Sequence, residues 1–372
     1  MPRPVLPGAT QPAVALEARH NAALDGLRGF AVLLVFCVHA AGSAAILFLG
    51  RDLDVVALHT LTSDGERLLF WLHRSHHGVF LFFVLSGFLI GRMWWPRAVL
   101  PYRAFAWRRT LRIYPAFLVA FVASLALAYA SGNWQPPDWP RIAGNLLFLN
   151  GAPGSAVQPF NPVTWSLFYE MAFYLVFPVL LLGAMRGGRM SAQALPFLGI
   201  AIPALAVTAG ASSLHMCWSL LSCGVAAAAH EDALRAVVAR IAAPVVLLAY
   251  LAVTTVGLFD VLAPTLALLA FGAVTVLVLG KCLDNGNALA RLLAARPLVR
   301  LGRVSYSFYL LHWMVVVLVA RALTPHRESL GPLPGTLLLF GVAFVLSAIS
   351  ATVLWWLAER PYFRRRKTGS AA

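Results

Sequence analysis

The fold of this chain is decided by the stretch RGFAVLLVFCVH at residues 28–39, where two ionisable residues bracket an apolar run that continues to about residue 49. On an α-helix, their offset of eleven residues corresponds to about 16 Å along the axis and to three turns plus roughly 20°. Arg28 and His39 would therefore share one helix face, with the guanidinium at a membrane surface and the imidazole near the middle of the bilayer. An ionisable side chain at that depth is costly and indicates function. The alternative is a buried histidine whose polar atoms are satisfied by a neighbouring helix.

The composition extends this interpretation to the whole chain. Of the 372 residues, 60% are hydrophobic and only 12% are charged, whereas soluble domains carry about 25% charged residues. We therefore predict an all-α polytopic membrane protein with about ten transmembrane helices, several of them near the minimum length for crossing about 30 Å of hydrocarbon. The predicted spans cover residues 29–49, 79–95, 113–130, 164–183, 193–210, 212–229, 242–258, 261–280, 304–320 and 335–357.

The distribution of basic residues predicts the topology. With a cytoplasmic N-terminus, 23 of the 29 Lys and Arg residues fall in inner segments and 6 fall in outer loops. By the positive-inside rule, this bias favours an even number of spans with both termini cytoplasmic. We expect an inner tail at residues 1–24, a transmembrane domain at 25–363 and a basic tail at 364–372, with no soluble accessory domain. The net charge of +15 then reflects topology and anionic lipid, so no nucleic-acid partner is expected.

Two further segments carry polar residues that a membrane helix seldom contains. Ser86-Gly87 falls near mid-bilayer in the second span. Small residues there allow close helix packing, or the hydroxyl serves a site beside His39. Arg109 and Arg112 are three residues apart in the most basic inner loop, hence on one helix face. Their charge is explained by topology alone or by a phosphate clamp, for which guanidinium forks are suited.

The fourth and ninth spans contain the remaining polar candidates. Glu170 is the only carboxylate in any predicted span and lies four residues from Ser166, on the same face. It must face protein or water rather than lipid. Ser305, Tyr309 and His312 stand at i, i+4 and i+7 and form one polar stripe that starts at the cytoplasmic side. Such a stripe is costly against lipid, which predicts that it faces the protein interior.

The outer loops carry a histidine cluster and a long polar connection. The loop at residues 50–78 contains His73, His76 and His77, a grouping that invites a metal interpretation. No carboxylate or cysteine stands at a spacing typical of metal ligands, so we prefer a polar outer rim and expect no metal. The loop at residues 131–163 is long enough to be functional.

Six motifs in order along the chain resemble those of the acyltransferase-3 family of integral membrane O-acyltransferases. They are Arg28 and His39 with ten residues between them, FFVLSGFLI at 82–90, RTLRIYP at 109–115, WSLFYEMAFY at 165–174, GRVSYSFYLLH at 302–312 and ERP at 359–361. Each motif alone is a modest signal, whereas six in the right order across nearly the whole chain are a strong one. The chain shows no departure from the family pattern at these positions.

The resemblance implies a multi-pass acyltransferase of the bacterial inner membrane. It implies an acyl donor, usually acetyl-CoA, on the cytoplasmic side and a hydroxyl of a sugar, polysaccharide or glycolipid as the outer acceptor. His39 would be the catalytic base, and Glu170 would orient His39 or bind acceptor hydroxyls. The residues implied to hold the donor or the oxyanion of the reaction are Arg28, Arg109, Arg112, Ser86, Ser305, Tyr309 and His312.

Other mechanisms and functions compete with this interpretation. Direct transfer to the acceptor is the mechanism that we favour, and an acyl-enzyme on His39 or a serine is the alternative. A transporter would also use intramembrane His, Glu and Arg, although the sequence shows no internal repeat with paired broken helices. A structural partner in an envelope complex is a third class.

Overall fold

The computed structural model describes residues 21–56, 58–74, 77–94, 102–136, 138–208, 213–255, 264–284 and 286–361. Across these residues the regular secondary structure is helical, without a β-strand, as the composition predicts. The α-helices are α1 Ala22–Ala44, α2 Asp64–His73, α3 His77–Trp94, α4 Tyr102–Ala130, α5 Trp139–Leu146, α6 Trp165–Arg186, α7 Arg189–Thr208, α8 Ser213–Ala229, α9 Glu231–Ala239, α10 Ala243–Thr255, α11 Pro264–Leu283, α12 Ala288–Leu293, α13 Arg296–Arg303, α14 Ser305–Leu323, α15 Arg327–Leu330 and α16 Pro332–Leu354. Two π-helical segments, Ala45–Leu49 and Trp355–Glu359, extend α1 and α16.

Each of the ten predicted spans contains an α-helix, but the count of ten transmembrane helices is not confirmed. By length and composition, seven helical stretches of the described residues can cross a membrane, or eight if α9 and α10, which meet at 104°, form one broken span. The difference arises from α7 and α8, whose apolar parts Ala192–Val207 and Leu214–Ala229 are short for a bilayer. The structure does not describe residues 1–20 of the predicted tail at 1–24, nor any residue of the predicted tail at 364–372.

α1 is one continuous helix that contains both Arg28 and His39. It begins where the side chain of Asn21 accepts hydrogen bonds from two backbone N–H groups of the first turn. The same side chain donates to the carbonyl oxygen of Cys282 at 2.8 Å, which ties the first helix to the end of α11. The π-helical extension ends at Gly50, whose φ of 63° is left-handed.

Glycines bring the N-terminal half of α1 into backbone contact with α13. A Cβ on Gly29 would lie 2.0 Å from the carbonyl oxygen of Leu298, and one on Gly302 would lie 1.8 Å from that of Asp25. Both distances are far below van der Waals contact, so any larger residue would push the two helices apart. This contact fixes the part of α1 that carries Arg28.

A second glycine contact joins α3 to α8. A Cβ on Gly87 would lie 1.8 Å from the carbonyl oxygen of Leu221, and one on Gly224 would lie 1.9 Å from that of Val84. The packing interpretation of the small residues in the second span is therefore confirmed for Gly87. Ser86, one residue earlier, bonds instead to α6 on another side of the helix.

α2 and its flanking loop are held by polar contacts. The Nε of Arg51 pairs with Glu66 at 3.0 Å, near the start of α2. At its C-terminal end, His73 contacts the carbonyl oxygen of Val38 through Nδ1 at 3.1 Å and the carboxylate of Asp54 through Nε2 at 2.9 Å. These contacts anchor α2 on α1 one residue before His39.

Candidate active site

A cavity lies between α1, α3, α4, α6 and α14. Seven of the nine site residues predicted from the sequence line it, although they come from five helices that are far apart in the chain. They are Arg28, Ser86, Arg109, Arg112, Glu170, Ser305 and Tyr309. Phenylalanine, leucine and valine side chains of α3 supply apolar wall. Apolar walls with a few convergent polar groups are typical of small-molecule sites.

Three arginines give the cavity its positive charge. Arg109 is buried, and its guanidinium stands over the rings of Phe105 and Tyr174 at 5.5 and 4.9 Å, where the ring quadrupole attracts a cation. Arg28 and Arg112 are half-buried, and among the residues that the structure describes neither forms an ion pair. Glu359 acts on both guanidinium groups electrostatically from beyond ion-pair distance. Two guanidinium groups without a carboxylate at ion-pair distance in the described residues favour the binding of an anion.

Glu170 is held by two hydroxyl groups. The Oγ of Ser86 donates to its Oε1 at 2.8 Å, and the hydroxyl of Tyr174 donates to the same oxygen. Because Tyr174 also carries the guanidinium of Arg109 on its ring, this carboxylate links α3, α4 and α6. Within the described residues Oε2 accepts no hydrogen bond, so it is available to a ligand.

The three hydroxyls predicted to assist an oxyanion differ in their hydrogen bonds. Ser86 donates to Glu170, and Tyr309 donates to the carbonyl oxygen of Val163 at 2.5 Å. The Oγ of Ser305 is buried, and it has no hydrogen-bond partner among the described residues. A buried hydroxyl without a partner is uncommon in native proteins. Ser305 is therefore the cavity hydroxyl that is open to a ligand.

The two predicted histidines do not line this cavity. His312 is fully buried in α14, and its ring lies beside that of the half-buried His39, with ring centroids 5.1 Å apart and planes at 49°. Tyr309, which lines the cavity, contacts His312 with ring centroids 5.9 Å apart. The histidine pair thus adjoins the cavity through Tyr309. The sequence analysis placed both histidines inside the membrane but did not predict that they meet.

Three polar residues of this region were missed by the sequence analysis. Tyr174 and Tyr306 line the cavity. Glu359 is buried two residues beyond the predicted end of the last span, where it accepts a hydrogen bond from the Oγ of Ser307 at 2.5 Å and interacts electrostatically with Arg28. The ERP motif was the available signal for Glu359, because it places a carboxylate directly after an apolar helix.

The outer histidines do not assemble into a metal centre in the part of the chain that the structure describes. No group of three or more His, Cys, Asp or Glu side chains there is close enough to hold an ion. His73 contacts Asp54 and a backbone carbonyl, and His77 packs on the ring of Phe271 at 5.4 Å. His76 lies outside the described residues.

Comparison with known proteins identifies the class. The acyltransferase-3 family profile, described as "Acyltransferase domain", matches residues 21–356, a range that includes every residue lining the cavity. The chain belongs to this family, as its six motifs predicted, and is an acyltransferase. It is similar to Acyltransferase MdmB of Streptomyces mycarofaciens, with 29% identity over 319 residues that cover 79% of this chain and 78% of the relative. No solved structure matches the chain.

Proposed function

We propose that this acyltransferase moves an acyl group, by default acetyl, from cytoplasmic acyl-CoA to a hydroxyl of a glycan or glycolipid at the outer side of the bacterial inner membrane. The observation that carries the proposal is the convergence on a single cavity of three arginines, one carboxylate and a hydroxyl that has no partner in the described residues. The choice of donor and acceptor rests on the resemblance of the six motifs to those of the family.

Binding of the donor would use the charge of the cavity. CoA carries several phosphate groups that cannot enter hydrocarbon, whereas its pantetheine arm is thin and mostly neutral. Arg28 and Arg112, which lack ion pairs within the described residues, would bind phosphate together with Arg109 through guanidinium forks. The arm would then pass along α14, where Ser305 offers its unpartnered hydroxyl.

The transfer itself needs a base for the acceptor hydroxyl. A neutral imidazole at His39 would take that proton as the acceptor oxygen attacks the thioester carbonyl. When the tetrahedral oxyanion collapses, the C–S bond breaks and the thiolate takes the proton from the imidazolium, which leaves an ester and the free thiol of CoA. Ser305 would donate to the oxyanion, because Ser86 and Tyr309 already donate to protein oxygens.

Glu170 would act on the acceptor side of this reaction. Its Oε1 is occupied by Ser86 and Tyr174, so Oε2 is the oxygen that could accept a hydrogen bond from a sugar hydroxyl. The topology predicted from the basic residues, with both termini cytoplasmic, belongs to the same proposal. An arrangement of eight spans, with α9 and α10 as one broken span, keeps the even number that this topology requires.

The decisive assay follows both products. Purified protein in lipid nanodiscs receives acetyl-CoA labelled in the acetyl group and a panel of sugar and glycolipid acceptors. We expect free CoA and labelled ester to form together, and only when both substrates are present. His39→Ala should lower turnover by about 10³-fold or more, since the base is lost, with an unchanged unfolding temperature. Movement of a solute without any release of CoA would contradict the proposal and favour a transporter.

Vesicles of defined orientation test the sidedness. Inside-out vesicles expose the cytoplasmic face, so they should release CoA when acetyl-CoA is added outside. Right-side-out vesicles should use external acetyl-CoA only after permeabilisation. Equal rates in both sealed preparations would contradict a cytoplasmic donor site.

A further inference from the structure

His312 contains a buried nitrogen that nothing in the described part of the chain satisfies. The side chain has no exposed surface, and its Nε2 has no hydrogen-bond partner there. Buried polar atoms without partners are uncommon in native structures, and each one calls for an explanation. Because His312 is not among the residues that line the cavity, a direct contact with bound acyl-CoA does not supply that explanation.

The other ring nitrogen determines the protonation of Nε2. Nδ1 of His312 lies 2.8 Å from the carbonyl oxygen of Tyr309 and 3.2 Å from that of Phe308. A carbonyl oxygen can only accept, so Nδ1 carries the proton, and Nε2 of the neutral ring has a lone pair. The ring of Phe308 lies nearly parallel at 6.0 Å and 12°. Nε2 is therefore an acceptor whose position is fixed by α14.

The imidazole ring next to that of His312 is that of His39, on α1. The ring centroids are 5.1 Å apart, and an imidazole atom lies about 1.1 Å from its centroid, so two nitrogens that point at each other would be separated by about 3 Å. That separation is a hydrogen-bond distance. In this structure the bond is not formed, because Nε2 has no partner in the described residues, so the half-buried His39 side chain would have to rotate to aim a ring nitrogen at Nε2.

We propose that His312 is a positioning residue for His39. Its Nε2 accepts a hydrogen bond from one ring N–H of His39 and thereby leaves the lone pair of the other His39 nitrogen for the acceptor hydroxyl. When His39 takes the acceptor's proton, the same bond stabilises the imidazolium, and it persists when that proton passes to the thiolate of CoA. A base that is oriented by a third group is a recurring arrangement in catalytic sites.

The proposal rests on the proposed function, because it needs His39 as the base. It gives His312 a different role from the donor contact that the motifs implied. The two roles separate in kinetics: a positioning residue changes kcat, whereas a donor contact changes the KM for acyl-CoA. If His312 only filled the core, its substitution would change the unfolding temperature, and replacements with and without a hydrogen-bond acceptor would have the same kcat.

The experiment compares three variants in the CoA-release assay with the full chain in nanodiscs. His312→Phe keeps a ring but removes the acceptor, and we expect kcat to fall about 10- to 100-fold, the range known for hydrogen-bond partners that orient histidines in metal sites. The KM for acetyl-CoA should stay within about twofold. His312→Gln restores a side-chain oxygen as acceptor and should regain at least half of that loss on a logarithmic scale. His77→Phe, a buried histidine outside the site, is the matched control and should match wild type.

The outcomes separate cleanly. Three results would overturn the proposal while leaving the proposed function intact. They are a wild-type kcat in His312→Phe, a raised KM for acetyl-CoA with an unchanged kcat in His312→Phe, and equal losses of kcat in His312→Phe and His312→Gln. If His312→Phe is not recovered folded, His312→Met supplies the apolar comparison with His312→Gln. Failure of the wild-type protein to release CoA with any acceptor would instead be a failure of the proposed function.

Discussion

The two faces of α3 show how one helix can close one interface and open another. On one face, Gly87 brings the backbone of α3 against that of α8, where even a Cβ would overlap the carbonyl oxygen of Leu221 at 1.8 Å. On another face, Ser86 bonds to Glu170 beside the cavity. Adjacent residues point about 100° apart on a helix. Gly87 therefore points at the packed contact with α8, whereas Ser86 points at the cavity.

The same division recurs on α1. Gly29 lies against the backbone of α13, with 2.0 Å between a Cβ and the carbonyl oxygen of Leu298, whereas the preceding Arg28 lines the cavity. On both helices a glycine makes a close backbone contact, and the polar residue beside it lines the cavity, where the proposed function gives that residue a chemical role. Substitutions at the two kinds of position should therefore fail in different ways, one in folding and the other in activity.

The largest effect is expected at the close contact between α3 and α8. Gly87→Val places a branched side chain where the backbone of α8 lies, so we expect a loss of several kcal/mol of stability, since overpacking alone costs about 1–3 kcal/mol. Little folded protein should be recovered. The measurement is the yield of monodisperse protein and its unfolding temperature in detergent. Ser86→Ala is the matched control, and its unfolding temperature should stay near wild type. A wild-type value for Gly87→Val would show that the interface is not sealed.

The second-largest effect is expected for two arginines that line the cavity, Arg109 and Arg112. Arg109→Ala combined with Arg112→Ala should raise the KM for acetyl-CoA about 100-fold, because each charged hydrogen bond contributes about 1.5–3 kcal/mol. Arg103→Ala combined with Arg108→Ala removes the same charge from exposed positions of α4 and should raise KM less than threefold at physiological salt. Equal changes in both double variants would show that net charge, rather than the cavity, attracts the donor.

A smaller effect is expected for Glu170, the carboxylate that bonds to Ser86 on the cavity side of α3. Glu170→Gln keeps the volume and one acceptor oxygen for Ser86 but removes the charge, so we expect kcat to fall about tenfold with an unchanged unfolding temperature. Initial rates at saturating acetyl-CoA measure it. Tyr174→Phe, which removes one of the hydroxyls on Glu170, should have a weaker effect. Full activity in Glu170→Gln would reduce Glu170 to a packing role.

The smallest effect is expected for the unpartnered hydroxyl. Ser305→Ala should lower kcat about three- to tenfold, since a single neutral hydrogen bond contributes about 0.5–1.5 kcal/mol. Ser347→Ala removes another fully buried hydroxyl without a partner in the described residues, on α16 and outside the cavity. Its turnover should equal that of wild type. Identical rates in the two variants would exclude Ser305 from the reaction.

Local patterns in the sequence predicted the parts of this molecule that depend on one helix at a time. Apolar runs predicted the helices of the ten spans but not the shorter helices between them, and the spacing of Arg28 and His39 placed both on α1. The number of crossings could not be obtained in this way, because α7 and α8 have apolar parts of borderline length. Glu359 was missed for a related reason, since the last helix continues as a π-helical segment beyond its apolar core.

The contents of the cavity were predicted better than its geometry. Seven of the residues chosen by type and depth line one cavity, because buried polar groups in a bilayer must face one another or water, and their roles in the reaction stay predictions. The pairing of His39 with His312 depends on how closely α1 and α14 approach. The periodicity of residues within each helix does not predict the distance between the two helices. The free hydroxyl of Ser305 likewise becomes visible only when the hydrogen bonds of Ser86 and Tyr309 are known.

The hydrogen bond from Asn21 to Cys282 joins residues 261 positions apart, and it has a consequence for biosynthesis. At about 5–20 residues per second, a ribosome needs roughly 15–50 s to make the chain between them. During that time α1 carries an arginine and a histidine without the later helices that shelter them. α1 is thus among the last parts of the chain to become native, and the insertion machinery must protect it meanwhile.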